Sequence, residues 1–261
     1  MLINGKSLTG YKLHATDGDV GKLLFFFFDE VNWKVRYLAA SAGTWLGRKR
    51  VLISPSAVTV HDWANHRFDL SLSKETARTS PDVDTMEAIS CQSQDALDSH
   101  YGCTSIRRGE ANVRSSQEIT GCPIESPQGQ AGHIDDLIVD DHNWAIPYLV
   151  VDTRSWLPGK YVLVPPALIR SVSWEKEMVE VKVDREKLRN APAYDPSYPI
   201  SRDYERRLYD FYGVPGYWED ITGLIRKKAQ ELCNRRGCVP GHELSDWLEA
   251  EHLVKSELRR G

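Results

Sequence analysis

The chain reads as mainly β, with two tandem small antiparallel barrels, short helices and a C-terminal helical hairpin. Three observations predict this. First, displaced by 111 positions, residues 21–55 lie over residues 132–166 without a gap, and Asn32/Asn143, Trp33/Trp144, Tyr37/Tyr148, Leu38/Leu149, Trp45/Trp156, Leu46/Leu157, Lys49/Lys160 and Pro55/Pro166 coincide. Second, Phe68, Leu70 and Leu72 alternate with polar residues, as do Val179, Val181 and Val183 in the other copy. That period of two marks a strand with one wet face. Third, the texture changes after residue 220, where Ile221, Leu224, Ile225, Ala229 and Leu232 fall at helical spacing.

The repeat runs well beyond its core. Thr9-Gly10 matches Thr120-Gly121, Trp63 matches Trp174, Arg78 matches Arg189, and Tyr101-Gly102 matches Tyr212-Gly213, all in one register. A fixed internal period outranks other fold signals, and two copies rather than many imply a domain pair instead of a solenoid. The expected units are a first barrel over 1–80, a short helix and linker over 81–118, and a second barrel over 119–190. A connector with a short helix over 191–220 and a hairpin over 221–261 complete them. Each copy can bury a core of its own, although domains of this size are marginal alone.

Within each copy the strands follow in order. Residues 12–14 and 123–125 precede turns carrying Gly18 and Gly129, where glycine permits a positive φ. Residues 22–29 and 133–140 form the long second strand, and turns at 30–32 and 141–143 use Asn and Asp to bond their own backbone. Residues 34–40 and 145–152 are β-branched and aromatic. A loop with Trp45 or Trp156 leads to a strand at 51–53 or 162–164, stopped by proline. Residues 74–78 and 185–189 read as single helical turns. Residues 201–212 form a helix with Tyr204, Leu208, Phe211 and Tyr212 on one face, whereas the copy-one counterparts Ser93, Leu97, His100 and Tyr101 predict a weaker one. Residues 103–118 are polar and read as linker. In the hairpin, Gly237 sits where a helix ends, and Leu244, Trp247 and Leu248 begin the second helix.

Composition excludes several classes. The net charge of -4 argues against a generally nucleic-acid-binding surface. Five cysteines without framework spacing suggest a reducing compartment, and no signal-peptide stretch stands at the N-terminus. The strongest apolar run, residues 23–28, is far short of the roughly 20 residues that span a bilayer. A cytoplasmic protein is expected.

No sequence arrangement nominates a catalyst. Gly5-Lys6-Ser7 lacks the upstream glycine of a phosphate loop. Gly18 and Gly21, like Gly129 and Gly132, sit between strands and read as turns. His133, Asp135, Asp136, Asp140, Asp141 and His142 form the best metal candidate, with His133 and Asp135 on one strand face. Their copy-one counterparts Lys22, Leu24, Phe25, Asp29, Glu30 and Val31 are no ligand set, so a solvated strand and turn is the favoured reading. Cys233, Cys238, His242 and His252 are irregularly spaced for zinc, and Cys233 lies on an apolar side, which favours packing. No cofactor or metal is expected.

The doubled pattern of spaced glycines, Asn-Trp, Tyr-Leu, Trp-Leu, Lys and Pro over residues 4–75 and 115–187 resembles the PRC-barrel. That module occurs in the H subunit of the photosynthetic reaction centre and in a ribosome maturation factor. Residues 241–251 look like a small bacterial helical domain of unknown function. The resemblance implies a non-enzymatic interaction module: an adaptor for a protein partner, peripheral at the inner face of the membrane on an electron-transfer complex of photosynthetic type. The alternative is an RNA- or ribosome-associated factor, drawn from the second relative and the basic Arg226–Lys228 and Arg235-Arg236 segments. The H subunit's membrane helix and the maturation factor's N-terminal domain are both missing from the pattern. Candidate interaction residues are Phe25 and Phe27, in a strand apolar on both faces, and Trp45, Leu46, Trp156, Leu157 and Lys160, in loops pairing Trp with basic side chains. Burial of the Phe face inside the molecule is the favoured reading. A homodimer, or the two copies packed about a pseudo-twofold axis, is the expected assembly.

Overall fold

The computed structural model describes residues 1–42, 50–81, 89, 91–102, 113–153, 160–218, 221–237 and 241–260. In copy one these form β1 (Leu2–Asn4), α1 (Gly5–Leu8), β2 (Lys12–Ala15), β3 (Gly18–Asp29), β4 (Lys34–Ala42), β5 (Arg50–Ile53), β6 (Val58–Asp62), β7 (Arg67–Leu70), α2 (Lys74–Arg78) and α3 (Cys91–His100). Copy two repeats the order as β8 (Val113–Ser115), α4 (Ser116–Ile119), β9 (Pro123–Ser126), β10 (Gly129–Asp140), β11 (Tyr148–Asp152), β12 (Tyr161–Val164), β13 (Ile169–Ser173), β14 (Met178–Val181), α5 (Arg185–Asn190), β15 (Ala193–Tyr194) and α6 (Arg202–Tyr212). Then come α7 (Ile221–Arg236) and α8 (Glu243–Arg260).

The chain is mainly β, with two sheets in the orders β5-β4-β3-β2-β7-β6 and β13-β14-β9-β10-β11-β12-β15. Two expectations need correction. Both sheets are mixed rather than antiparallel, because β2 pairs β7 and β9 pairs β14 in parallel. Neither hydrogen-bonded path closes on itself, since β5 and β6 stand at opposite ends of theirs. Glycine stands where left-handed backbone is needed, at Gly18 (φ 125°) and Gly129 (φ 103°).

The modules also exchange strands. β1 pairs with β10 of the second module, in the register Leu2↔Asp140, Ile3↔Val139 and Asn4↔Ile138. Reciprocally, β8 pairs with β3 of the first, in the register Val113↔Asp29, Arg114↔Phe28 and Ser115↔Phe27. These pairings map onto each other under the 111-residue displacement, so the exchange is symmetric. Residues 113–118, expected as linker, therefore supply a strand and most of the short helix α4 to the fold.

A symmetric contact marks the pseudo-twofold axis. Lys34 and Ala145, counterparts in the repeat, form an antiparallel bridge. Val35 N donates to Trp144 O (2.8 Å) and Ile146 N donates to Trp33 O (2.7 Å). Trp33 and Trp144 adopt φ values of 51° and 60°, a rare left-handed conformation for a bulky residue. Both tryptophans are buried, and one continuous core runs through the two modules and α6.

Strand β3 is apolar on both faces because both are covered. Phe26 and Phe28 join the main core, while Phe25 and Phe27 join a smaller cluster with Tyr37, Leu52 and Leu97 of α3. In copy two, α6 covers the matching face, and its Ser201 N-cap side chain accepts from Tyr204 N. Helices α7 and α8 share a separate small core of Ile225, Ala250 and Val254. Gly237, at φ 79°, stands beyond α7 as its sequence position implied. Among the described residues no helix is long and apolar enough to cross a membrane.

Candidate interaction trough at the module junction

A trough runs along the junction of the modules in two compartments that share Trp33, Pro166 and Ala167 as walls. The first, about 380 Å³, is lined by Asn32, Trp33, Ala145, Pro147, Pro165, Tyr209, Pro215 and Tyr217 among others, and none of its lining side chains is charged. The second, about 590 Å³, adds Glu30, Arg170, Val172 and Trp174 beside strand β13.

Its aromatic wall is held by a buried carboxylate. Glu205 on α6 accepts from Tyr148 Oη (2.8 Å) and Tyr217 Oη (3.0 Å) and pairs with Arg202 Nη1 at 3.0 Å. Arg202 in turn lies over the Trp218 ring, 4.4 Å from its centroid. A buried charge needs this many partners to be tolerated. Burial, with Glu205 nearby, pushes the Tyr148 and Tyr217 hydroxyls well above the ordinary phenol range, so both remain donors. Tyr217 is fixed in this way while staying 41 % exposed. At the other end, Trp174 Nε1 donates to Glu30 Oε2, and Arg114 stacks 4.7 Å from the Trp174 ring. Exposed Arg170 forms no ion pair among the described residues.

The repeat makes the trough's chemistry stand out. At the copy-one positions matching Ala145, Pro147, Pro165, Ala167 and Tyr209 stand Lys34, Arg36, Ser54, Ser56 and Asp98. Copy two is therefore less charged and less polar than copy one at these matching positions. Arg170, by contrast, matches Thr59.

The residues singled out from sequence fall elsewhere. Phe25 and Phe27 are 5 % and 0 % exposed under α3, so they offer no surface and serve the inside of the molecule. Trp45, Leu46, Trp156 and Leu157 lie outside the described residues. Lys160 Nζ donates to Arg189 O (2.8 Å), tying the residue just before β12 to the end of α5. Partial burial lowers its pKa.

The His133–His142 stretch separates into two ends of β10. Near one end, His133, Asp135 and Asp152 bring ligand atoms within 4.8 Å of one another, with Asp152 the member that sequence reading missed. Asp135 there is engaged by Lys6 Nζ at 2.8 Å. Asp140, Asp141 and His142 cluster at the other end. Between them Asp136 is buried, and its carboxylate accepts from Lys6 N (3.0 and 3.1 Å) and Leu137 N (2.8 Å). Burial pushes its pKa up to about 6. Cys233, expected to serve packing on an apolar side of its helix, is disulfide-bonded.

Residues 222–256, covering most of the helical hairpin, match the family model described as Protein of unknown function (DUF2934). The match falls on the segment that resembles a small bacterial helical domain. No curated protein matches the chain.

Proposed function

We propose that the protein is a non-enzymatic adaptor: two modules of PRC-barrel type, locked into one body by strand exchange, that grip a protein partner along the junction trough. The observation that carries this reading is the uncharged compartment itself. It sets exposed Tyr217 with Pro166 and Pro215 over the buried Trp33 and Tyr209 rings, and aromatic residues are enriched in interface cores. The partner class drawn from the resemblance is a membrane electron-transfer complex of photosynthetic type, approached from the cytoplasmic side.

Affinity capture with the tagged full chain tests the proposal, using lysate of the source organism divided with and without RNase. The Ala145→Lys variant serves as the control. Redox-complex subunits recovered in both halves by wild type and lost with the variant are the expected result. Ribosomal proteins that disappear on RNase treatment would replace the adaptor reading with ribosome association. Recovery unchanged by the variant would refute the trough as the docking site.

A further inference from the structure

Resting on the adaptor reading, we infer that the trough takes an extended, proline-containing segment of the partner that ends in an acidic residue. The prolines lie against Tyr217, Pro215 and Pro166, and the acid lies against Arg170. Three observations converge on this occupant.

Shape comes first. The two compartments lie side by side across a shared wall of Trp33, Pro166 and Ala167, an arrangement that suits a chain running from one into the other. Charge comes second. One compartment is lined by no charged side chain, while the next presents exposed Arg170 beside Glu30, whose carboxylate is already engaged by Trp174 Nε1 and Arg114, so the matching ligand is uncharged along most of its length and anionic at one end. The sequence differs between the copies at these positions, where Lys34 and Thr59 of copy one stand against Ala145 and Arg170 of copy two. The third is the state of the neighbouring sheet edge. β13 is a terminal strand, but its ladder to β14 is irregular between Ile169 and Ser171. A bulge there breaks the regular row of donors and acceptors that strand addition needs. Polyproline-type segments need no ladder. They dock on aromatic grooves through preformed apolar ridges, and the fixed proline φ lowers the ordering cost. Tyr217 is suited to such a contact because its hydroxyl is held by Glu205 while its ring stays partly exposed.

Fluorescence anisotropy with three labelled, end-capped peptides and the intact chain tests the assignment. The peptides are polyproline ending in two aspartates, polyproline alone, and polyproline ending in two lysines. Saturable binding of the aspartate peptide is expected, about threefold tighter than polyproline alone, as befits one exposed ion pair. The lysine peptide should bind weakest. Ala145→Lys should weaken all three by about tenfold or more, because it sets an ammonium in the uncharged compartment. Copy one already carries Lys34 at the matching backbone position, and an unchanged melting profile verifies the fold. Arg170→Glu should invert the order of the aspartate and lysine peptides. Absence of saturable binding, an order untouched by Arg170→Glu, or full affinity in Ala145→Lys overturns the inference. If partner capture is lost in Ala145→Lys yet no proline peptide binds, the ligand assignment fails and the adaptor reading stands. If capture survives Ala145→Lys, the trough is not the docking site and both fall.

Discussion

Replacing Asp136 with asparagine should make the protein more stable at neutral pH and remove a pH dependence between pH 4 and 6. Asp136 is 7 % exposed at the place where α1 of one module meets β10 of the other. Burial is the largest influence on its carboxyl. The amides of Leu137 and Lys6 and the Lys6 charge oppose it without cancelling it, and the pKa stands at about 6 instead of the ordinary 3.8. That rise corresponds to about 3 kcal/mol of preference for the protonated carboxyl in the folded state. The sign follows from proton counting. Between pH 4 and 6 the folded chain holds a proton that the unfolded chain has released, so this group's contribution to stability falls as pH rises through that window. Above pH 6 both states are ionised and the loss is complete. Asparagine keeps one oxygen to accept from the Lys6 and Leu137 amides and never ionises. Urea unfolding of wild type and Asp136→Asn at pH 4.5, 5.5 and 7.5 isolates the site by subtraction. The variant's advantage should grow with pH toward an upper bound of about 3 kcal/mol. A difference that is flat, or that shrinks as pH rises, would refute the reasoning.

Other outcomes follow from the same geometry. Phe27→Ala, at a fully buried position in the cluster under α3, should cost about 3–5 kcal/mol in chemical denaturation. The main core joins the modules, so both should lose structure in one transition, readable by hydrogen exchange of β10 as well as β3. Tyr212→Phe removes the buried bond from its hydroxyl to Leu163 O (3.0 Å) and should cost about 1 kcal/mol, with no change in partner binding. Arg236→Ala strips the partner at 2.6 Å from the buried Asp246 carboxylate. It should loosen α7 and α8, seen as faster amide exchange there, while β-sheet protection stays unchanged.

What could be read from the chain divides by range. The long strands, the turn glycines, the helix end at Gly237 and the α7–α8 pair were legible because their signals are local: alternation, left-handed backbone, 3.6-residue spacing. The burial of Phe25 and Phe27 followed from a strand apolar on both sides. Strand exchange was hidden for a physical reason. β1 and β8 are three residues long, and either could pair with β3 or β10 while burying similar side chains, so no local preference distinguishes the partners. The parallel pairs β2–β7 and β9–β14 likewise depend on long-range chain path. Asp152 escaped notice as a neighbour of His133 because the two meet only through β10–β11 pairing. The trough draws Trp33, Ala145, Pro166, Tyr209 and Tyr217 from separated segments, and single-sequence periodicity does not gather them. Subtracting one copy from the other would have pointed to it, since Lys34 against Ala145 and Thr59 against Arg170 change character where the scaffold does not.

Covalent fusion of the two modules has a bearing on valence. Two identical subunits related by a true twofold axis must carry every groove twice, and a partner meeting such a dimer finds two equivalent seats. Here the Lys34–Ala145 bridge lies on the pseudo-axis and pairs unlike residues. One chain can therefore carry Lys34, Arg36 and Asp98 on one side of the axis and the uncharged Ala145, Pro147 and Tyr209 at the matching positions on the other. The repeat gives the scaffold its symmetry, and the differences between the copies around the axis leave only one of two matching surfaces uncharged.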